Sequence, residues 1–155
     1  MENLSKQSVL AVAEIELVYK SMVKPSQRPQ LRSTPEMYEM LLANWDLNKI
    51  EFIEQFKVIF LSRSLRVLGM YEMSTGGTAG TVVDIKLLFI SALKINAHFI
   101  VVSHNHPSGN FTPSNADKKL TQKIKQAGCI LDIHLLDHII ITQEGYFSFT
   151  DEGML

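Results

Sequence analysis

The sequence is poor in cysteine, the residue that builds covalent cross-links and thiolate metal clusters. Cys129 is its only cysteine, which rules out a disulfide within the chain and a zinc cluster made of several thiolates. It lies between Gly128 and Ile130, a context that predicts a buried and unreactive thiol. We therefore expect any reactive site to be built from other side chains.

Long apolar runs are also missing. No run approaches the ~20 residues that span a bilayer, and the first residues, M-E-N-L-S-K-Q-S, lack the apolar core of a signal peptide. The expectation is a cytoplasmic protein that does not enter a membrane.

Neither sign of charge dominates the chain. Fifteen Lys and Arg against 16 Asp and Glu leave a net charge of −1, so nucleic-acid binding has no support from charge. The densest basic group falls on a predicted helix and is expected to be a solvated helix face. Its members are Lys118, Lys119, Lys123 and Lys125.

The chain has enough apolar residues for one folded domain: 46% of its 155 residues are hydrophobic. Helical and extended patterns alternate through its centre, and hairpin patterns lie toward both ends, which predicts the α/β class with a mixed sheet.

The predicted elements follow from periodicity, caps and turn residues. Those of the first half are a strand over 13–20, an irregular connection over 22–34, a helix from Ser33 or Thr34 to about Trp45, a hairpin of 56–61 with 67–73, and a glycine-rich loop over 74–81 that lacks a phosphate-binding pattern. Those of the second half are a helix from Asp84 to about Asn96, a strand over 99–102, a helix that Ser114 opens and Gly128 closes, and strands over 130–133, 138–142 and 146–149.

The segment from Ser103 to Asp117, S-H-N-H-P-S-G-N-F-T-P-S-N-A-D, contains the clearest chemical pattern. Residues two apart in an extended chain share a face, so His104 and His106 can direct their rings to one point. A helix that begins at Ser114 places Asp117 one turn in, where its carboxylate can reach the same point. Two imidazoles and one carboxylate leave a fourth position open, which is the ligand count of a catalytic zinc site.

Each part of this segment also has an ordinary structural explanation. Ser114 and Asp117 fit a helix capping box, and a histidine at a strand end is commonly a hydrogen-bonded boundary residue. Only the convergence of two histidines, a tight turn and an acid within fourteen residues favours a metal site. His98 and His134 have no partner at ligand spacing, so we expect them to be structural or exposed.

The pattern H-x-H, seven residues, S-x-x-D resembles the JAMM (JAB or MPN-type) metalloprotease motif. More narrowly, H-N-H-P-S-G followed by T-P-S-N-A-D resembles the bacterial RadC family, as do F-K-V-I-F-L-S-R-S-L-R-V-L-G, S-T-G-G-T and L-L-D-H-I-I-I-T-Q-E-G-Y-F-S-F-T-D-E-G. The similarity covers roughly Ile50 to the C-terminus. It implies a single JAB/MPN-like (cytidine-deaminase-like) domain, with a mostly antiparallel mixed sheet flanked by helices.

The resemblance also implies roles for individual residues. It makes His104, His106 and Asp117 the ligands of one zinc ion per chain, and Ser114 a catalytic residue that orients water or stabilises an oxyanion. A glutamate before the first hairpin strand would be the general base. Glu54 matches that place, and Glu51 is the alternative. The pair Asp137 and His138 could contact and orient a ligand histidine.

The resemblance divides the chain into an extension, residues 1–48, packed on a metal-hydrolase domain, residues 49–155. The implied function is a zinc-dependent peptidase or isopeptidase with a peptide or protein substrate. The alternative is an accessory or binding module in DNA repair or recombination without peptidase activity. The family name suggests DNA repair, but residues 1–48 do not resemble the helical module with helix-hairpin-helix features of longer members.

Overall fold

A five-stranded sheet organises the chain, whose computed structural model describes residue 16 and residues 18–76 and 82–155. Its strands are β1 (Gln55–Leu61), β2 (Val67–Thr75), β3 (Phe99–Asn105), β4 (His134–Thr142) and β5 (Gly145–Ser148). Their order across the sheet is β2-β1-β3-β4-β5. Neighbouring strands run antiparallel except β3 and β4, which are parallel and joined through a helix. The predicted α/β class with a mixed, mostly antiparallel sheet is therefore confirmed.

Within the part of the chain that the structure describes, three α-helices flank the sheet: α1 (Thr34–Ala43), α2 (Ile85–Lys94) and α3 (Asn115–Ile130). A short 3-10 helix spans Pro25–Gln27. Side chains alternate between the two faces along each strand, so each face has its own apolar core. On one face Val58 and Val102 pack with α2 and α3, and on the other Ile59 and Val101 pack with α1.

The three α-helices begin where the sequence predicts. Ser33 and Ser114 each form a capping box with an acid three residues on, and the Asp84 carboxylate accepts a hydrogen bond from the Leu87 amide. These bonds satisfy main-chain N–H groups of the first turn, which otherwise have no partner. The hairpin of β1 and β2 and the short strand β5 are also confirmed.

Four predictions about the second half were wrong: the end of β3, a strand over 130–133, the end of α3 and the start of β4. Strand β3 continues past Val102 to Asn105, because pairing with both β1 and β4 holds its polar end in the sheet. No strand covers 130–133. Helix α3 runs two residues past Gly128, a turn containing Asp132 at φ 55° follows, and β4 begins at His134.

Two further expectations concern Cys129 and the N-terminal strand. Cys129 is exposed, not buried, because Gly128 is the residue that α3 turns toward the sheet. Half of the strand predicted over 13–20 lies outside the described residues, and its described residues, 16 and 18–20, are not in a strand. The glycine-rich loop falls partly outside them as well, while Ser74 and Thr75 belong to β2.

Among the described residues, no helix combines the length and the apolar composition required to cross a membrane.

Candidate metal centre

The end of β3 presents the two histidines of the motif. His104 is buried on the face covered by α2 and α3, where it pairs with Phe56 of β1. His106 follows the strand in a turn that is closed by a 2.9 Å hydrogen bond from the Gly109 N–H to the His106 carbonyl. Gly109 has φ +75°, a conformation that favours glycine. The turn brings the Asn110 carbonyl within 2.6 Å of His106 Nδ1.

The first turn of α3 supplies the carboxylate. Asp117 Oδ2 accepts a 2.6 Å hydrogen bond from the Ser114 N–H, and the Asp117 N–H donates to Ser114 Oγ at 3.1 Å. The other oxygen, Oδ1, lies 3.3 Å from His104 Nε2. The capping box and the convergence on the histidines therefore coexist, because Oδ2 accepts the capping bond while Oδ1 remains to face His104.

His104, His106 and Asp117 form a cluster that could hold a metal ion, with ligand atoms within 4.8 Å of one another. The two Nε2 atoms are 3.0 Å apart, and His106 Nε2 lies 3.7 Å from Asp117 Oδ2. The two separations that meet at His104 Nε2, 3.0 Å to His106 Nε2 and 3.3 Å to Asp117 Oδ1, are close to ~3.3 Å, the edge of a tetrahedron with metal–ligand bonds of ~2.0–2.1 Å. The 3.7 Å separation involves the other oxygen of Asp117. The donor set thus fits a metal ion that is bound by imidazole nitrogens and a carboxylate oxygen.

A chain of hydrogen bonds behind His104 has only one consistent direction. Thr121 Oγ1 donates its single proton to the Asp117 main-chain carbonyl at 2.6 Å, so it must accept from His138 Nδ1, also at 2.6 Å. Neutral His138 then has a bare Nε2, which accepts from His104 Nδ1 at 2.8 Å. His104 is left with the lone pair of its Nε2 toward the cluster.

His106 reaches the same tautomer by a shorter route. Its Nδ1 donates to the Asn110 carbonyl, which can only accept, so its Nε2 also has a free lone pair. Two lone pairs that face each other across 3.0 Å, beside a carboxylate, form a site that attracts a cation.

The pKa values of these groups reflect the same concentration of negative charge. When His106 Nε2 carries a proton instead of facing a cation, it can bond to Asp117, and this bond is the main cause that raises the pKa of His106. Burial opposes it, and the backbone hydrogen bond with Asn110 and the charges of Asp117 and Glu54 also raise this pKa. Burial acts to raise the pKa of Asp117, but the hydrogen bonds of His104 and His106 outweigh it and hold that pKa well below its ordinary value. Burial lowers the pKa of His138 well below its ordinary value, consistent with the neutral ring assigned above.

A cleft of about 720 Å³ opens onto the cluster. Glu54 and Ser114 line it together with all three cluster residues, and its apolar wall includes Phe56, Val83 and Leu120. Ser114 Oγ accepts the helix-capping bond from the Asp117 N–H, and the Ser114 side chain is also a hydrogen-bond partner that lowers the pKa of the Asp117 carboxyl group. Glu54 is partly buried, immediately before β1.

Glu51, the alternative to Glu54, has a different environment. It is exposed and lines a separate cavity of about 290 Å³ on the far side of His106, beside Pro107 and Ser108. Of the two glutamates, only Glu54 lines the cleft that contains His104, Asp117 and Ser114.

The neighbours Asp137 and His138 face opposite sides of β4, so only one of them meets the cluster. His138 contacts His104, as expected. Asp137 is turned to the other face, where it accepts hydrogen bonds from the Ser148 hydroxyl at 2.5 Å and the Thr150 N–H at 3.0 Å. The expectation that Asp137 orients a ligand histidine is therefore corrected.

Thr121 is a member of the site that the motif did not predict. It lies four residues after Asp117, on the same side of α3, and this spacing is the signal that could have found it. His98 and His134 lie outside the cluster, and His134 is exposed.

The fold and the cluster together define an α/β domain of the JAB type with a candidate His-His-Asp metal site. A family model described as "RadC-like JAB domain" matches residues 31–154, and the chain belongs to this family.

Several curated relatives are similar over the same region. A UPF0758 protein of Flavobacterium johnsoniae is 50% identical over 101 residues, which cover 65% of this chain and 44% of that protein. A UPF0758 protein of Thermotoga maritima is 42% identical over 102 residues, 66% of this chain and 46% of that protein. One from Haemophilus ducreyi is 35% identical over 148 residues, 94% of this chain and 65% of that protein. The first two matches therefore span less than half of the relatives' length.

Proposed function

We propose that this protein is a zinc-dependent hydrolase that cleaves an amide bond of a peptide or isopeptide substrate. The observation that supports it is one cleft that brings together two histidine Nε2 atoms, a carboxylate, and the side chains of Glu54 and Ser114. Two nitrogen ligands and one oxygen ligand are the protein ligand set of a catalytic zinc, which keeps one position open.

His104, His106 and Asp117 hold the ion in this proposal. Zinc, when bound, polarises a carbonyl and makes a water acidic enough to be deprotonated near neutral pH. The hydrogen-bond chain through His138 and Thr121 keeps His104 in the tautomer that can be a ligand, and the Asn110 carbonyl does the same for His106.

Glu54 is the general base and then the general acid. It takes a proton from the attacking water and delivers it to the leaving amine nitrogen, so that the C–N bond breaks as a neutral amine departs. Its place in the cleft and its electrostatic effect on His106 support this role. Ser114 turns its hydroxyl proton from Asp117 to the oxygen on which negative charge develops, a contribution of about 3 kcal/mol for such a donor.

Metal analysis tests the first half of this proposal. Purified protein is expected to contain one zinc per chain, and His104→Ala and His106→Ala to contain little. The matched control is His134→Ala, an exposed histidine outside the cluster, which is expected to keep the metal. Undiminished zinc in the two cluster variants would show that the cluster is not the zinc site.

A substrate screen tests the second half. Wild type and Glu54→Gln are compared on a panel of fluorogenic peptides and lysine isopeptides, with Glu51→Gln as the control for an equivalent change beside His106. We expect Glu54→Gln to lose about 10²- to 10⁴-fold in turnover while keeping its zinc, and Glu51→Gln to stay active. A zinc-loaded wild type that cleaves no member of the panel would favour the alternative, a binding module without peptidase activity.

A further inference from the structure

Asn105 stands between the two histidines and points the other way. His104 faces α2 and α3, whereas Asn105 is directed to the opposite face and is completely buried. An amide placed there must find hydrogen-bond partners, because an unpaired polar group in the interior is costly.

The Asn105 amide makes its hydrogen bonds to one short segment, residues 50–55. Its Oδ1 accepts from the Gln55 N–H at 2.7 Å. Its Nδ2 donates to the Ile53 carbonyl at 2.8 Å and to the Ile50 carbonyl at 2.7 Å. Both amide hydrogens and the oxygen are thereby used on the chain that enters β1.

Two of these bonds bracket Glu54. The Ile53 carbonyl and the Gln55 N–H belong to the peptide groups on either side of that residue, and one side chain holds both. The main-chain ladder between β1 and β3 has its last pair at Phe56 and His104. Beyond it the Asn105 amide takes the place of a strand peptide, because β3 ends and the chain turns at His106.

Glu54 is also held from its other side. Its own carbonyl accepts a 2.8 Å hydrogen bond from the Gly76 N–H, which follows β2. The main chain of Glu54 therefore lies between Asn105 and Gly76, and both contacts leave its side chain free to line the cleft.

We propose that Asn105 is a positioning residue that holds Glu54 against the metal ligands. The proposal rests on the proposed function, in which Glu54 is the base. Asparagine is suited to the position by its chemistry: aspartate has no N–H to donate, and serine has one hydroxyl where the amide makes three bonds. A single stretch, His104 to His106, then supplies two ligands and the support of the base, so their relative positions depend on one strand.

The test uses Asn105→Ala and the milder Asn105→Ser. The matched control is Ser103→Ala, a buried polar residue of β3 whose hydroxyl donates to the Ile139 carbonyl and not to the Glu54 segment. The first readout is amide hydrogen exchange in the full chain. We expect the Gln55 N–H to lose protection at least about tenfold. The Gly76 N–H, which Asn105 does not touch, should also lose protection if Glu54 moves.

The second readout is a double-variant cycle on the amide substrate found in the screen. Asn105→Ala is expected to lower kcat about 10- to 100-fold with KM and zinc content unchanged. In a Glu54→Gln background the same change should alter the residual kcat less than about twofold, because the two residues act through one group.

Several results would overturn the proposal. They are loss of zinc in Asn105→Ala, unchanged Gly76 exchange in a folded variant, multiplicative losses in the double variant, or failure of both Asn105 variants to fold where Ser103→Ala folds. If the screen finds no substrate, the proposed function fails by itself, and Gly76 exchange alone decides whether Asn105 holds Glu54.

Discussion

His104 Nδ1 lies 2.8 Å from His138 Nε2, and the proton between them belongs to His104. Thr121 determines where this proton lies. Its hydroxyl donates its only proton to the Asp117 carbonyl and accepts from His138 Nδ1, so His138 Nε2 has no proton to donate to His104. His138 is fully buried, with its ring stacked on Phe149 at a centroid distance of 4.8 Å. It can therefore act on His104 but not on a substrate.

Thr121→Val should weaken zinc binding without removing a ligand. Valine keeps the volume of the side chain but can neither accept from His138 Nδ1 nor donate to the Asp117 carbonyl, so His104 loses its imposed tautomer. We expect zinc affinity to fall about 10- to 100-fold, measured by competition with a chromogenic chelator, and the ¹⁵N shifts of His104 in the metal-free protein to move toward a tautomer mixture. Thr121→Ser should restore both, and Thr142→Val, a buried threonine in the β4–β5 turn, should change neither. Equal affinity in Thr121→Val and wild type would contradict the role of the chain.

Zinc should stabilise the fold through the cluster. A ligand at 100 times its Kd that binds only the folded state adds about 2.7 kcal/mol to the free energy of unfolding. We expect a shift of this size in urea unfolding with zinc, reversed by a chelator and retained in His134→Ala. In His106→Ala it should largely disappear, since one of three ligands is missing. The same shift in His106→Ala would mean that zinc binds elsewhere.

Asp137 should make stability fall as pH rises from acid values. Burial raises the pKa of Asp137, against the hydrogen bonds from Ser148 and Thr150, so the folded chain keeps this proton to higher pH than the unfolded chain. Its contribution to stability is complete below the unfolded carboxyl pKa of ~3.9 and is lost as pH rises through the raised folded value, by at most about 1.4 kcal/mol per pH unit.

The comparison that isolates this effect is urea unfolding of metal-free wild type and Asp137→Asn between pH 4 and 7. The stability difference should move in favour of the variant as pH increases. Ser148→Ala, which removes a bond that lowers the pKa, should shift the same window upward. Parallel curves for wild type and Asp137→Asn would show that Asp137 does not titrate differently in the folded state.

Gly128→Ala should destabilise the protein although alanine is the better helix former. A Cβ at this position would lie 2.2 Å from the Ile133 carbonyl oxygen, so α3 and the connection that leads into β4 must move apart. The gain in helix propensity is about 1 kcal/mol, and we expect overpacking to outweigh it and leave a net loss of about 1–3 kcal/mol. Gly69→Ala is the control, because a Cβ there meets nothing within 4 Å. Thermal unfolding that ranks Gly128→Ala at or above wild type would show that the two elements separate at no cost.

Local chemistry explains why much of the fold is predictable. The local sequence determines where the three helices begin, because the side chains of Ser33, Asp84 and Ser114 bond to main-chain groups within three residues. The hairpin of β1 and β2 and the proximity of His104, His106 and Asp117 also depend on short separations. Gly128 misled the prediction because it resembles a helix stop, whereas α3 runs two residues further and the missing side chain of Gly128 lets the Ile133 carbonyl approach closely.

The sequence by itself determined the caps, the turn at Gly109 and the set of groups that can meet at the end of β3, because these depend on bonds between near neighbours. Only the tertiary structure decided which side chain of β4 contacts His104. Between Ile100 and Val101 the pairing of β3 with β4 shifts by one residue, which pairs Asp137 with Val101 and His138 with Val102. Because side chains alternate across a sheet, that shift turns His138 toward His104 and Asp137 away from it. Strand register is set by the packing of the whole sheet, so no local pattern around Asp137 and His138 could choose between them.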